Sequence, residues 1–334
     1  MNGGGDERDE RQGNGPEARS GITPEISASK RLLSELTPQL LDPLALELAN
    51  HVEWWHLPGL SKRSEPKTDD NQADADNDQT EDPYPIAITG KGSPLLMLHG
   101  FDSSFLEFRR LAPLLQDHHQ LFIPDLHGFG FCPRPKDVDY GNEAVLNHLS
   151  EILACLDTEE PIGMIGASMG GAIAMELARR HPKQINRLLL LAPAGLTGRP
   201  MPIPAPLDKL GVWFLSRPGV RRGLCRQAFA DPNSSVGEAE EQIASLHLQV
   251  PGWGRALAAF ARSGGFANCG QPLPRQPVHG IWGANDRILK GAQKRDAVAL
   301  LESHVEELKD CGHLPHLDHP KFVANRWLEG FRQP

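Results

Sequence analysis

The sequence predicts an α/β chain built on strands that are buried on both faces. Three observations carry that prediction. Short, continuously apolar runs such as 94–98 and 185–191 suit strands covered from both sides. At 161–180 the stretch PIGMIGASMGGAIAMELARR passes from an apolar run through a glycine turn into a helix-like segment. Near the C-terminus, strand-like 277–283 and 304–308 each lead into a loop that holds a titratable side chain.

Taken in chain order, residues 1–30 are Gly- and charge-rich and are expected to be a disordered tail. They lack the apolar segment of a secretory signal and are too acidic for a usual transit peptide. An amphipathic helix is predicted over 37–50, with Thr37 as cap, Pro38 in the first turn and leucines at 40, 41, 44 and 48. A first strand is expected at 52–57 and a second at 84–89. Between them, 61–83 is acidic and rich in Asn and Gln, too polar to bury a core, and reads as a solvated insertion between two edge strands.

The run 94–98 then enters His99-Gly100-Phe101, and a strand at 121–123 leads to Asp125, Gly128 and Gly130. Asp125 is expected to hold its own loop by hydrogen bonds rather than take part in chemistry. The G-x-S-x-G turn at 166–170 needs glycines because strand and helix pass too close for side chains. Gly171, Ala172 and Ala174 extend the small surface. Ser168 is thereby set at a helix N-terminus, where unpaired N–H groups favour developing negative charge.

A serine hydroxyl is a poor nucleophile until an imidazole accepts its proton and a carboxylate fixes that imidazole's tautomer. Downstream of Ser168 the chain supplies Asp286, in the loop after 277–283, and His313, in the loop after 304–308. That is the order Ser, Asp, His expected with such an elbow. His316 and His319 are expected on the surface or at a helix start. The oxyanion formed in acyl transfer requires backbone donors, assigned here to the N–H groups of Phe101 and Met169. Asp102, beside that loop, is expected either to shape it or to touch substrate.

Composition bounds the remaining possibilities. The 334 residues suffice for one large or two ordinary domains, and 39% hydrophobic content can fill a sizeable core. Net charge is −9, but 69–82 holds seven acids and no base, and 1–20 holds five acids against three bases. The rest of the chain is balanced, so no nucleic-acid partner is expected. Cysteines 132, 155, 225, 269 and 311 are scattered and odd in number, which fits reduced thiols and a cytoplasmic location. Cys311 is read as packing. No stretch approaches the ~20 apolar residues of a membrane span, which leaves peripheral membrane contact open. There is no repeat, metal-ligand cluster, dinucleotide-binding glycine pattern or P-loop, so neither cofactor nor metal is expected.

HGF at 99–101, PDLHGFG at 124–130, GASMGG at 166–171, WGANDR at 282–287 and CGHLPHLDHP at 311–320 together resemble the α/β-hydrolase superfamily from about residue 37 onward. The group most similar is that of cap-bearing serine esterases and carbon–carbon bond hydrolases. HGFDSS with the following LEFR is similar to plastid and cyanobacterial-type members, which include chlorophyll dephytylase and pheophytinase. The resemblance implies the α/β-hydrolase fold: a mostly parallel central sheet, helices on both faces and an inserted helical cap. The core would comprise 31–195 and 273–334, and the cap 196–272. Serine at the elbow separates this chain from haloalkane dehalogenases and epoxide hydrolases, which use aspartate there. Some relatives carry the acid after the preceding strand, but 192–195 is APAG and offers none.

Within the cap, proline-broken helical stretches are expected at 207–216, 218–230, 236–249 and 253–263, with Phe214, Phe229, Trp253 and Phe260 as candidate walls of an apolar substrate channel. The expectation is therefore a serine hydrolase acting on a small hydrophobic carboxylic ester. Cleavage of a carbon–carbon or thioester bond by the same triad is one alternative, and a non-catalytic ligand-binding protein is another. Oligomeric state is left open.

Overall fold

The computed structural model describes Met1 and residues 27–61, 82–289, 291–302 and 304–331. Its centre is an eight-stranded sheet formed by β1 (Val52–Trp55), β2 (Tyr84–Gly90), β3 (Ser93–Leu98), β4 (His119–Pro124), β5 (Ile162–Ala167), β6 (Ile185–Leu191), β7 (Val278–Gly283) and β8 (Val305–Leu308), in the spatial order β1-β2-β4-β3-β5-β6-β7-β8. From β4 to β8 every pairing is parallel, while β2 runs antiparallel to both β1 and β4.

Alternation along the central strands sends side chains to two separate cores. Leu96, Leu98, Met164, Leu188 and Leu190 belong to one cluster, and Leu95, Met97, Ile165, Leu189 and Leu191 to the other. Because both faces must be covered, helices lie on each side. In chain order the helices are α1 (Ala28–Leu36), α2 (Pro43–Asn50), α3 (Pro58–Ser61), α4 (Ala112–Leu115), α5 (Asn142–Cys155) and α6 (Met169–Arg180). They continue as α7 (Leu207–Leu215), α8 (Pro218–Ala228), α9 (Pro232–Ser235), α10 (Glu238–Leu246) and α11 (Trp253–Ser263). The last are α12 (Gly291–Leu301), α13 (Pro315–Asp318) and α14 (Pro320–Glu329). Helices α5, α6 and α12 cover the first face, and α1, α2 and α14 cover the second. Each fully buried leucine or isoleucine contributes roughly 1.5–3 kcal/mol of burial energy, so the two cores dominate the folding energy.

Helices α7 to α11 all fall between β6 and β7, where the four cap stretches are expected. The N-terminal region differs from expectation in four ways. Residues 28–30 are not tail but the start of α1, capped by the Ser27 side chain accepting from Lys30 N–H at 3.2 Å. The single helix predicted over 37–50 is instead a 3-10 turn at Thr37–Gln39 and then α2, because Asp42 supplies a second cap by accepting from Leu44 N–H at 2.9 Å. The strand predicted at 52–57 ends at Trp55. Of the two strands on either side of the expected insertion, only β1 lies at an edge of the sheet, since β2 is paired on both sides. Residues 2–26 of the expected tail and 62–81 of the expected acidic insertion lie outside the described residues. No helix among the described residues is long and apolar enough to cross a membrane.

Candidate active site

The turn between β5 and α6 is as sharp as its glycines require. Ser168 has φ +50°, a left-handed conformation that is rare for a side chain larger than hydrogen. A Cβ on Gly166 would lie 2.4 Å from Gly170 O, and one on Gly170 would lie 2.1 Å from Leu98 O. The second contact shows how closely α6 rides against the end of β3. Ser168 is partly exposed at the N-terminus of α6.

His313 approaches from the loop after β8 and Asp286 from the loop after β7. His313 Nε2 is 2.9 Å from Ser168 Oγ, and His313 Nδ1 is 2.9 Å from Asp286 Oδ2. An ionised carboxylate only accepts hydrogen bonds, so Nδ1 carries the proton and Nε2 is free to accept from the serine hydroxyl. Burial pushes the Asp286 carboxyl upward, but the His313 hydrogen bond and charge, with the N–H groups of Leu289 and Ile288, leave it below the usual carboxylate range. His313 itself is buried at 4% exposure, and its N–H donates to Ala228 O at the end of α8. Cys311 is buried and its thiol is pushed up to about 12 by burial, so it remains protonated and inert.

The loop after β3 lies against the serine: a Cβ on Gly100 would be 3.3 Å from Ser168 Cβ. The Gly100 N–H is committed to Glu107, whose two carboxylate oxygens each lie 3.3 Å away. The next N–H, that of Phe101, has no protein acceptor among the described residues. Met169 N–H opens α6, where the helix supplies no partner. His99 is neutral, with burial holding it at about 4. Its Nδ1 donates to Gly100 O and its Nε2 accepts from Leu126 N–H. Asp125 accepts from the N–H groups of Phe105 and Phe131, both at 2.6 Å, and stays out of hydrogen-bond reach of the triad partners named here.

The remaining candidates separate by burial. Phe260 is 4% exposed and packs against Phe101, Phe129 and Phe266 with ring centroids 5.1–6.1 Å apart. Trp253 is also buried, but its indole N–H is spent on Asp102. Phe214 is 53% exposed on α7, as are its neighbours Leu210 (57%) and Trp213 (55%). Asp102 is 7% exposed, and its carboxylate is held by Arg221, His247 and Trp253 from the helical segment between β6 and β7. His316 stands at the start of α13, one of the two placements expected for it, and not on the surface. It is fully buried, its ring tilted against Phe108 with centroids 5.0 Å apart, and Nε2 lies 3.2 Å from Glu107 Oε1. His319 is half-buried at the start of α14.

Several residues around the site were assigned no role from the sequence. Glu107 supports Gly100, and Glu240 of α10 pairs with Arg110 at 2.6 Å and Arg109 at 3.4 Å. Arg110 also donates to Leu317 O in α13, and Arg109 donates to Asp42 at the cap of α2. These partners lie far apart in the chain, and only a pattern of paired variation across relatives could have announced them. Among the described residues, no group of three or more His, Cys, Asp or Glu is placed to hold a metal ion.

Comparison with known proteins agrees with this geometry at the level of family. The profile of the Alpha/beta hydrolase family matches residues 95–326. The 2-hydroxymuconate semialdehyde hydrolase of Pseudomonas sp. (strain CF600) is 30% identical over 255 residues, covering 71% of this chain and 86% of that protein. Lipase 1 of Psychrobacter immobilis is 40% identical over 248 residues, covering 68% and 73%. A solved meta-cleavage product hydrolase from Pseudomonas fluorescens IP01 superposes with a TM-score of 0.62 at 20% identity, covering 74% of this chain and 94% of that one. The chain therefore belongs to the alpha/beta hydrolase family.

Proposed function

We propose that the protein is a serine hydrolase that cleaves a carboxylic ester of a hydrophobic small molecule through an acyl-enzyme on Ser168. The observation that carries this reading is the pair of 2.9 Å contacts joining Ser168 Oγ to His313 Nε2 and His313 Nδ1 to Asp286 Oδ2. In the first step Oγ attacks the ester carbonyl while Nε2 takes its proton. Asp286 holds the ring and stabilises its cationic form. The negative charge that moves to the carbonyl oxygen is met by the N–H groups of Phe101 and Met169, each worth a few kcal/mol where water is excluded. Collapse expels the alcohol with the proton from His313. A water molecule, deprotonated by the same nitrogen, then attacks the acyl carbonyl, and Ser168 recovers its proton as the carboxylic acid leaves.

A hydrophobic substrate is supported by the aromatic group around the loop: Phe101, 44% exposed, with Phe129, Phe260 and Phe266 behind it. The same triad applied to a carbon–carbon bond is the second reading, favoured by the 30% identity to a 2-hydroxymuconate semialdehyde hydrolase over most of its length. A fluorophosphonate probe, with Ser168→Ala as control, tests the nucleophile. Parallel assays on p-nitrophenyl esters from acetate to octanoate and on a vinylogous 1,5-diketone acid separate the two bond types. Absence of labelling on folded wild-type protein would reject both and leave the ligand-binding alternative.

A further inference from the structure

Beside the serine lies a buried polar cluster that the hydrolytic steps above do not use. Asp102 follows Phe101 directly, and both of its carboxylate oxygens are occupied. Oδ2 accepts from Arg221 Nη1 at 2.5 Å, while Oδ1 accepts from His247 Nε2 at 3.1 Å and Trp253 Nε1 at 2.8 Å. The three donors come from α8, from the turn that ends α10, and from the first residue of α11. Arg221 continues to Ala244 O within α10. One carboxylate of the core is thus the point on which three cap segments converge. Arg221 Nε and His247 Nδ1 are buried without a hydrogen-bond partner among the described residues, so Asp102 is the one side-chain acceptor these two groups share there.

The backbone at this point is unusual as well. Asp102 has φ +51°, a left-handed conformation that a non-glycine residue keeps only when its surroundings hold it there. On the other side of Phe101, the Gly100 N–H is fixed by Glu107. Phe101 is therefore suspended between one anchor in the core and one in the cap.

We propose that Asp102 is a positioning residue: through Arg221, His247 and Trp253 the cap holds its carboxylate, and this sets the Phe101 N–H against the oxyanion formed at Ser168. The site is then complete only when the cap is seated. This inference rests on the serine-hydrolase reading and adds to it a role for the cap in the chemical step, besides any role in choosing substrate. In this reading Asp102, 7% exposed and turned toward its three donors, shapes the loop rather than meeting substrate.

The test breaks the contact from the cap side, leaving the loop sequence intact. Arg221→Met, Trp253→Phe and Asp102→Asn are compared with wild type for kcat and KM on p-nitrophenyl acetate. Affinity is measured for a boronic acid, whose serine adduct places an oxygen in the oxyanion position, and for the product acid, which forms no such adduct. A misplaced donor should lower kcat by about 10–100-fold, with KM within about twofold. Boronate affinity should fall by a similar factor while product affinity holds. The Arg221→Met/Asp102→Asn double variant should lose no more than the worse single one. Should Arg221→Met fail to fold, Trp253→Phe keeps the ring, removes one hydrogen bond and reads the same quantities. Equal losses in boronate and product affinity, a change confined to KM, or kcat within twofold of wild type in folded variants would each overturn the proposal. Wild-type protein that is not labelled by fluorophosphonate at Ser168 would overturn it together with the hydrolase reading. A labelled wild type with unaffected variants would overturn the proposal alone.

Discussion

Gly170→Ala is the sharpest small perturbation the structure offers. The added methyl would sit 2.1 Å from Leu98 O, 2.7 Å from Leu98 C and 2.8 Å from His99 O, all of them backbone atoms of β3 and its exit. Side-chain carbons essentially never approach within 3.0 Å of such atoms, so the first turn of α6 must move from the end of β3 by about 1 Å. Overpacking of this kind costs about 1–3 kcal/mol, and more when no flexible side chain can yield. The displacement falls between the two groups that must act together, since Ser168 and Met169 N–H lie on the moving side and Phe101 N–H on the fixed side. A misplacement of about 1 Å at a reacting centre is worth roughly 100-fold in rate. The assay is kcat/KM on p-nitrophenyl acetate beside the melting temperature. Gly211→Ala serves as the reference, because nothing lies within 4 Å of that position. If Gly170→Ala keeps its melting temperature within a degree and its turnover within threefold, the close passage of α6 over β3 does not position the site and the reasoning fails.

The remaining predictions concern other parts of the molecule. Gly211→Ala, inside α7, should raise stability by about 0.5–1 kcal/mol through helix propensity alone, read as a higher melting temperature. Asp286→Asn should lower kcat by about 10⁴-fold in folded protein, because the wrong imidazole tautomer is then favoured; near-wild-type turnover would move the acid elsewhere. Phe260→Ala, at 4% exposure, should cost about 3–5 kcal/mol, whereas Phe214→Ala, at 53%, should leave the melting temperature unchanged and lower kcat/KM only for long acyl esters if its ring meets substrate. Asp102, Glu107 and Asp286 are all held below the ordinary carboxylate range, so the folded state binds fewer protons than the unfolded one. Stability from them is present above the unfolded value of about 4 and is lost as pH falls through and below it. The melting-temperature gap between wild type and Asp102→Asn should therefore shrink from pH 6 to pH 3, and a constant gap would contradict the assignment of charge to Asp102.

What could be read from the chain beforehand was local. The elbow announces itself because a left-handed serine between close-packed backbones tolerates only glycine at 166 and 170. Asp286 and His313, which the fold brings within 2.9 Å of each other, could be picked out because each lies in the loop that follows a strand. The N-terminal helices were misjudged where one short side chain decides the boundary. Ser27 starts α1 inside what composition marks as tail, and Asp42 starts α2 inside what leucine spacing marks as one helix. His316 does stand at a helix start, but its burial was not legible, because it depends on Glu107 and Phe108, about two hundred residues earlier.

The same distance in sequence hides how the cap is attached, and the attachments are not spread evenly. Besides its hold on Asp102, the segment between β6 and β7 reaches the loops around Ser168 through Glu240 on Arg109 and Arg110, and through the end of α8 on the histidine loop. There the His313 N–H donates to Ala228 O, and Asp318 accepts from both Ala230 N–H at 3.0 Å and Gly312 N–H at 2.7 Å. A Cβ on Gly312 would lie 2.4 Å from Ala228 O, so the two segments touch along their backbones. Both loops that must be correctly placed for Ser168 to react, the one ending β3 and the one bearing His313, therefore lean on α8 and α10. By contrast, α7 meets its neighbours through Val212 near Gly254 and the Asp208–Arg262 pair, contacts internal to the cap. Changes on α7 can then alter what reaches the serine without moving the groups that act on it, whereas changes on α8 or α10 act on both at once.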